Sequence, residues 1–414
     1  MTARYTRGVT WLAPQRQLIF RAALAVVALL TPGCVEGDDE RDDAARSARR
    51  QQPAISPPSA KTPALEAEAP ANEPAPARAL SVVFGGDVSF ARATGRRMLR
   101  EPSFNPLARL APLLRGSDVS FANLESPLCA RGTETQDPQR PLVFSGPASG
   151  ARALSLSGFD LVSLANNHIW DYGRAGLLET LTHLEQAGVR YVGVSGEPGF
   201  AEEPQIMQVN GWSLAWLAVT DVWNPGEQGM PLAAPHVAFA NAERYALAVR
   251  ELRDRHDLIF VSYHGGREYS EHVSREQRAF ARAIMQAGAD AFVGHHSHVV
   301  QGIEWFDARP AFYSLGNLRF ERSRASPATA SGMLARLRFE RGQRPRVEMC
   351  PYRIDDDGPV PVGEGDALEH GELRRRFARV ASYAGFTTIG ATAPDGCLPV
   401  QPRLHAPEQA RPRQ

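Results

Sequence analysis

Between residues 80 and 354, short apolar runs alternate with amphipathic helical periods, and few folds accommodate this alternation. LSVVFGGD, SDVSFANLE and LIFVSYHGG have the length and the β-branched and aromatic content of buried strands. GLLETLTHLEQAG carries leucines on one helical face and stops at Gly188, and SREQRAFARAIMQAG starts at Ser274, a good N-cap residue. The glycines of FGGD predict a tight turn. Alternating strands and helices indicate an α/β fold with substantial parallel pairing.

A targeting signal precedes this region. Arg4, Arg7, Arg16 and Arg21 provide positive charge, AALAVVALL provides a short apolar core, and LLTPGC ends at Cys34. This ending resembles a bacterial lipoprotein cleavage site, so lipidation of Cys34 is expected; an ordinary cleaved signal peptide and an uncleaved anchor stay open. All three alternatives place the following domain outside the cytoplasmic membrane, in the cell envelope, and the first makes it a membrane-anchored lipoprotein.

The sequence predicts five segments. Residues 1–34 form the leader, and residues 35–79 form a disordered tether rich in Pro and Ala, which cannot bury enough apolar surface to fold. Residues 80–320 form the main domain, residues 321–390 add C-terminal strands and a helix to it, and residues 391–414 form a tail. Export makes disulfides possible among Cys129, Cys350 and Cys397, but the sequence leaves their pairing open.

The basic residues exclude several kinds of chemistry. Lys61, in the tether, is the only lysine, so the folded part has neither a P-loop lysine for ATP nor a Schiff-base lysine. Any ATP-dependent step therefore needs a partner protein. Basic and acidic residues balance at 46 each, so no nucleic-acid partner is expected.

Polar side chains follow five of the predicted strands. They are Asp87, Glu125, Asn167 with His168, His264, and His296 with His298. In α/β sheets, ligands bind at the carboxyl ends of parallel strands, so we expect these side chains to meet at one edge of the fold. Taken singly, each has a structural interpretation; Asp171, for example, could cap the helix that begins near Gly173.

Together these residues have the composition of a metal site. Carboxylates, imidazoles and an amide oxygen are suitable ligands for one or two divalent ions such as Mn, Zn or Fe. In an extended backbone, His296 and His298 direct their imidazoles to the same side. His295 then points the other way and is expected to be dispensable.

Six blocks in this order and spacing resemble the CapA family of capsule-synthesis, or poly-γ-glutamate biosynthesis, proteins. The blocks are FGGDV, ANLESPL, LANNHIWDYG, SYHGGREY, VGHHSHVVQGIE and YSLGN. The family is a branch of the calcineurin-like metallophosphoesterase superfamily, and the resemblance covers about residues 80–320. It implies a four-layer α-β-β-α sandwich. It also implies a metal-dependent hydrolase acting on a phosphoester or a γ-glutamyl amide, with a non-catalytic polymer-binding or export component, or a phosphoesterase on another envelope substrate, as alternatives.

The resemblance also implies roles for single residues. The implied metal ligands are Asp87, Glu125, Asn167, His264, His296 and His298. His168 matches the catalytic histidine of the superfamily, Ser89 stands where the superfamily has a histidine ligand, and Glu125 stands where a bridging aspartate is usual. Asn166, Glu268 and Asn317 are the predicted substrate contacts. The implied partners are a capsule or cell-envelope polymer, with poly-γ-glutamate as candidate, and membrane-bound ATP-dependent synthase proteins.

Overall fold

The computed structural model describes residues 78–130, 135–224, 230–321, 326–363, 367–383 and 387–402. The predicted leader with Cys34, and the predicted tether up to residue 77, lie outside these residues. Among the helices of the described part, none is long and apolar enough to cross a membrane.

Strands and helices alternate along most of the described chain. The first half contains β1 (Leu80–Val88), α1 (Arg92–Arg100), α2 (Ala111–Arg115), β2 (Val119–Leu124), α3 (Ser149–Ser157), β3 (Leu161–Ser163), α4 (Gly173–Ala187), β4 (Arg190–Val192), β5 (Gln205–Val209) and β6 (Trp212–Thr220). The second half contains α5 (Met230–Ala233), α6 (Ala242–Arg253), β7 (Leu258–His264), α7 (Arg275–Ala287), β8 (Ala291–His295), β9 (Ile303–Phe306), β10 (Arg309–Phe312), β11 (Asn317–Arg319), β12 (Ser331–Phe339), β13 (Arg346–Asp355), β14 (Gly358–Pro361), α8 (Ala367–Tyr383), β15 (Thr387–Ile389) and β16 (Leu398–Pro402).

These strands form two mixed sheets. The first runs in the order β15-β16-β13-β12-β1-β2-β3-β4, with β11 beside β1 and β14 beside β13. The second runs in the order β5-β6-β7-β8-β10-β9. Strands β1 to β4 are parallel, as are β6, β7, β8 and β10, whereas β12 and β5 are antiparallel to their neighbours β1 and β6. Each sheet therefore has a parallel part whose carboxyl ends can build a site.

The two sheets pack against each other through aromatic side chains. Phe84 of β1 lies 5.8 Å from Trp216 of β6 and 5.4 Å from Phe260 of β7, measured between ring centroids, and Phe121 of β2 stacks on Trp216 at 5.2 Å. Helices α2 to α4 pack buried leucines against the outer face of the first sheet, and α6 and α7 cover the second. The predicted four-layer α-β-β-α sandwich is therefore confirmed.

Two helix boundaries that the sequence predicts are confirmed. Ser274 forms a capping box with Gln277 at the start of α7. Gly188 ends α4 in a left-handed conformation, with φ of 72°, which glycine adopts without a steric penalty.

The prediction of a tight turn at FGGD is wrong. Gly85 and Gly86 stay within β1, and the backbone N–H of Asp87 donates to the carbonyl of Gly316 at 3.0 Å. A Cβ on Gly86 would lie 1.8 Å from that carbonyl oxygen. The glycine therefore permits the close approach of the Gly316 backbone, just before β11, rather than a reversal of the chain.

Regular structure continues past residue 390, where the sequence predicts the start of a tail. Strand β16 pairs with β13, and a disulfide joins Cys350 to Cys397. Leu398 and Val400 are buried on alternate positions of β16. The prolines of LPVQP obscured this strand, because proline removes a hydrogen-bond donor from a sheet.

Candidate metal centre

Seven predicted site residues come together at the carboxyl ends of the parallel strands. Asp87 lies at the end of β1, Glu125 follows β2, Asn167 and His168 follow β3, His264 ends β7, and His296 and His298 follow β8. Each of the seven is at most 7 % exposed. The first sheet thus contributes two carboxylates, an amide and one histidine, and the second contributes three imidazoles.

Glu125 is the common member of two groups with metal-ligand spacing. Ligand atoms of Glu125, His264 and His296 lie within 4.8 Å of one another, and so do those of Asp87, Glu125 and His298. The carboxylate oxygen Oε1 of Glu125 lies 3.5 Å from Nε2 of His264 and 3.9 Å from Nε2 of His298. A carboxylate shared in this way can bridge two ions.

The electrostatics of Glu125 favour a cation beside it. Neither carboxylate oxygen has a hydrogen-bond partner among the described residues, although the side chain is completely buried. Burial raises the pKa of Glu125 well above its ordinary value, and the negative charges of Asp87 and Glu268 raise it further. A divalent ion would satisfy both oxygens and reverse this effect on the pKa.

The imidazoles of the centre are suited to bind metal in the neutral form. Burial lowers the pKa of His264 well below its ordinary value, lowers that of His296 to about 3, and lowers that of His298. Nδ1 of His296 is buried without a hydrogen-bond partner in the described part of the chain. These donors, with two buried carboxylates, fit divalent Mn, Zn or Fe.

The backbone around His296 and His298 differs from the expected extended one. Strand β8 ends at His295, and His296 and His298 have φ of 84° and 58°. These left-handed conformations are rare for non-glycine residues and are typical of functional sites. The two imidazoles therefore reach the centre through a strained turn, and not through the alternation of a strand.

The prediction that His295 points away from the site is also wrong. Its imidazole is 1 % exposed, and Nδ1 lies 3.2 Å from Oδ1 of Asp87. The same oxygen accepts a hydrogen bond from Asn123 at 2.9 Å, and Oδ2 accepts one from the backbone N–H of His296 at 3.1 Å. Neither ring nitrogen of His295 makes a well-directed hydrogen bond among the described residues, so it acts on Asp87 through this close approach, which, against the raising effect of burial, lowers the pKa of that carboxyl. His295 therefore helps to hold Asp87.

Two of the predicted substrate contacts, Asn166 and Asn317, instead form hydrogen bonds within the protein. The amide of Asn166 donates to Oδ1 of Asn123 and to the carbonyl of Leu124, and its oxygen accepts from the N–H groups of His168 and Ile169. Asn166 thus fixes the loop that carries Asn167 and His168.

Asn317 has a comparable internal role. Its Oδ1 lies 2.9 Å from Nδ1 of His298, and its Nδ2 donates to the carbonyl of Thr329. This contact selects the tautomer of His298 whose Nε2 faces Glu125, in the way that outer residues orient metal-binding histidines.

Glu268 and Ser89 complete the set of residues singled out in the sequence. Glu268 is exposed, and its charge acts on the pKa of Glu125, so it lies within electrostatic range of the centre. Its contact with substrate stays a prediction. Ser89 is buried, and its hydroxyl accepts the N–H of Ala91 at 3.3 Å.

His168 is oriented by a carboxylate and an aromatic ring. Its Nδ1 lies 3.0 Å from Oδ2 of Asp171, which also accepts the N–H of Phe144. The ring of Phe144 lies 4.0 Å from the imidazole, measured between centroids. Asp171 therefore does not cap α4, whose N-cap is Tyr172. With Nδ1–H donated to Asp171, Nε2 of His168 is the nitrogen that can exchange a proton.

Sequence reasoning missed two residues that join parts of the centre. Asn123 donates to Asp87 and lies 3.2 Å from Nδ1 of His264. Asn224 accepts from the amide of Asn167 and lies 3.3 Å from Nδ1 of His168. An amide inside the apolar run VSFANL was the available signal for Asn123, because a buried amide needs partners. We find no comparable signal for Asn224.

Asn167 connects the two sheets directly. Its Oδ1 lies 2.8 Å from Nε2 of His264, while its Nδ2 donates to Asn224. An amide oxygen held against an imidazole nitrogen lies where both can reach the same ion. The implied role of Asn167 as a metal ligand fits this geometry.

Comparison with known proteins identifies the family. The family model described as bacterial capsule synthesis protein PGA_cap matches residues 81–322, which include every residue of the metal centre. The chain belongs to this family. It is 28 % identical over 306 residues to the PGA biosynthesis protein CapA of Bacillus subtilis, covering 74 % of this chain and 79 % of that protein. It is also 28 % identical over 312 residues to the capsule biosynthesis protein CapA of Bacillus anthracis, covering 73 % and 74 %.

Solved structures similar to this PGA_cap protein include nucleotidases. The NAD nucleotidase of Haemophilus influenzae has a TM-score of 0.40 at 13 % identity, over 72 % of this chain and 56 % of that one. The 5'-nucleotidase of Candida albicans has a TM-score of 0.35 at 12 % identity, over 63 % and 49 %. The matched region spans about half the length of each nucleotidase.

Proposed function

We propose that this protein is a metal-dependent hydrolase of capsule or cell-envelope polymer metabolism, acting on a γ-glutamyl amide or a phosphoester. The observation that carries the proposal is the completely buried Glu125, whose two oxygens have no hydrogen-bond partner among the described residues and which belongs to both groups with metal-ligand spacing. A purely structural carboxylate in this position would cost stability without any compensating contact. The names of the two CapA relatives support the capsule context.

Different residues of the chain would perform metal binding and proton donation. The bound ions would be held by Asp87, Glu125 and the neighbouring imidazoles, and they would supply an activated water and polarise the scissile group. His168, with its Nδ1–H donated to Asp171, would give a proton from Nε2 to the leaving group. Phe144 covers the imidazole and limits its contact with bulk water.

The test of this function is His168→Ala, assayed on generic phosphoesters and γ-glutamyl peptides with added Mn²⁺ or Zn²⁺. Because His168 belongs to neither ligand group, the variant should keep the metal content of the wild type while turnover falls by about 10²–10⁴-fold. His183→Ala, on α4, is the matched control and should change neither quantity. Full turnover in His168→Ala would refute its catalytic role. A metal-loaded wild type without turnover on any of these substrates would favour the polymer-binding alternative.

We also propose that the protein is exported and anchored to the membrane through a lipid on Cys34, and that a membrane-bound ATP-dependent partner makes the polymer. The disulfide between Cys350 and Cys397 supports export, because such bonds persist in oxidising compartments. Cys34→Ser should release the protein from membranes or leave it unprocessed. A wild-type protein that a detergent-free wash already solubilises would contradict the lipid anchor.

A further inference from the structure

Arg92, which no step of the proposed chemistry uses, carries a positive charge on the His168 side of the metal centre. Its guanidinium carbon lies 4.7 Å from the centroid of the Phe144 ring, and that ring lies 4.0 Å from the imidazole of His168. Phe144 thus contacts both side chains. We propose that Arg92 binds a carboxylate on the leaving-group side of the substrate, an inference that rests on the proposed hydrolase function.

The backbone at Arg92 is held in an unusual conformation. Arg92 has φ of 54°, a left-handed value that costs energy for a residue with a side chain. Two hydrogen bonds to Thr135 keep it there: the N–H of Arg92 donates to the carbonyl of Thr135 at 3.2 Å, and the hydroxyl of Thr135 donates to the carbonyl of Arg92 at 2.9 Å. A conformation maintained against strain in this way fixes the direction of the side chain beside His168.

The guanidinium has donors left for a ligand. Nη1 pairs with Glu321 at 3.2 Å, and Nη2 donates to the carbonyl of Pro141 at 3.2 Å. Each of these two nitrogens carries a second N–H that can meet a ligand, whereas Nε has no partner among the described residues but is buried. Glu321 is 47 % exposed, and an ion pair of this kind contributes little stability. A substrate carboxylate can therefore compete with Glu321 for the guanidinium, and its two oxygens match the fork of arginine donors.

The chemistry of a γ-glutamyl amide places a carboxylate at this point. The oxygen of water adds to the amide carbonyl carbon, the carbon–nitrogen bond breaks, and His168 gives its proton to the departing nitrogen. The water loses its protons to solvent as the new carboxylate forms, and His168 takes up a proton from solvent for the next turnover. In a γ-linked glutamate chain, the carbon attached to that nitrogen bears the α-carboxylate. The proton donor and the carboxylate-binding group are therefore needed side by side, which is the arrangement of His168 and Arg92 about Phe144.

Calorimetric titration of the metal-loaded full chain with two γ-glutamyl probes tests the inference. Every chain compared carries His168→Ala, so that the probes bind without being hydrolysed, and wild type here means the chain with Arg92 and Glu321 unchanged. γ-L-Glutamyl-L-alanine has the leaving-side α-carboxylate, and γ-L-glutamylethylamide is the same molecule without that carboxylate. Wild type should bind the first about 10- to 100-fold more tightly, as expected for a charge-assisted contact. Arg92→Gln should lose this preference while its affinity for the ethylamide stays unchanged, and Arg92→Lys should keep part of it.

Glu321→Gln separates ligand binding from a structural role. It removes the same ion pair but should keep or increase the preference, because the guanidinium is released. Equal binding of the two probes by wild type, binding of neither, or a preference that survives in Arg92→Gln would each overturn the role of Arg92. Those outcomes leave a metal-dependent phosphoesterase intact, whereas a chain that holds no metal would overturn the proposed function itself.

Discussion

At the scale of single residues, Glu125 shows the strongest conflict between the cost of burying a charged group and the metal-binding role proposed for it. Its carboxyl group is completely buried without a hydrogen-bond partner among the described residues, and its pKa is raised well above the ordinary value. A carboxyl group with a raised pKa contributes its stability below the pKa of the unfolded chain, and this stability is lost as the pH rises toward the folded-state pKa. The metal-free protein should therefore have a lower free energy of unfolding at alkaline pH, and bound metal should restore it.

Glu125→Gln tests whether this buried carboxyl group destabilises the metal-free protein. After treatment with a chelator, the variant should have a higher free energy of unfolding than wild type at pH 8, by about 1–3 kcal/mol, because it buries no charge. The difference should shrink toward pH 5. The variant should also fail to gain stability when Mn²⁺ or Zn²⁺ is added. Thermal unfolding at the two pH values measures both effects, and a metal-free variant less stable than wild type at pH 8 would contradict the interpretation.

His295 provides a second test, because the structure reverses its expected dispensability. His295→Leu removes the imidazole 3.2 Å from Asp87 and should weaken metal affinity by about 10- to 100-fold. His295→Asn should retain most of the affinity, since its amide nitrogen lies near the position of Nδ1. His236→Leu, at a buried histidine that contacts the carbonyl of Ser195, is the control and should leave metal affinity unchanged. Titration calorimetry with Mn²⁺ or Zn²⁺ measures the affinity. An unchanged metal affinity in His295→Leu would show that His295 is dispensable, as the sequence predicts.

At the scale of elements, the disulfide fastens the last described strand to the first sheet. It joins Cys350 in β13 to Cys397 beside β16, closing a loop of 47 residues that includes α8. Loss of a bond that closes a loop of this length costs about 2–4 kcal/mol of unfolding free energy. Reductant should therefore lower the urea midpoint of wild type and leave that of a Cys350→Ala, Cys397→Ala variant unchanged. An unchanged wild-type midpoint would show that the bond contributes no stability.

The elements also show what a sequence can and cannot predict. Strands β1 and β7 are buried on both faces and read as continuous apolar runs, so the sequence predicts them. β9 and β16 are short, and the prolines of β16 conceal it. The left-handed turns at His296 and His298 were missed, because local sequence favours an extended backbone there and only tertiary contacts, such as the one from Asn317 to His298, hold the turn.

At the scale of the whole molecule, the centre belongs to both sheets. Placing the ligands at strand ends was enough to predict which side chains meet, because parallel strands deliver their carboxyl ends to one edge. The pairing of His295 with Asp87, and of Asp171 with His168, depends on how the sheets and loops pack. Distances of this kind cannot be predicted from the sequence. Metal binding should therefore be coupled to the docking of the two sheets.

The central claim is that Glu125 joins two metal positions. Elemental analysis of the purified full chain, expressed with added Mn²⁺ or Zn²⁺, tests it directly. Because two ligand groups share Glu125, wild type should carry about two divalent ions per chain, and His298→Ala, which removes a ligand of one group only, should carry about one. About one ion per chain in wild type would contradict the two-position claim, and fewer than about 0.2 would contradict the metal centre itself.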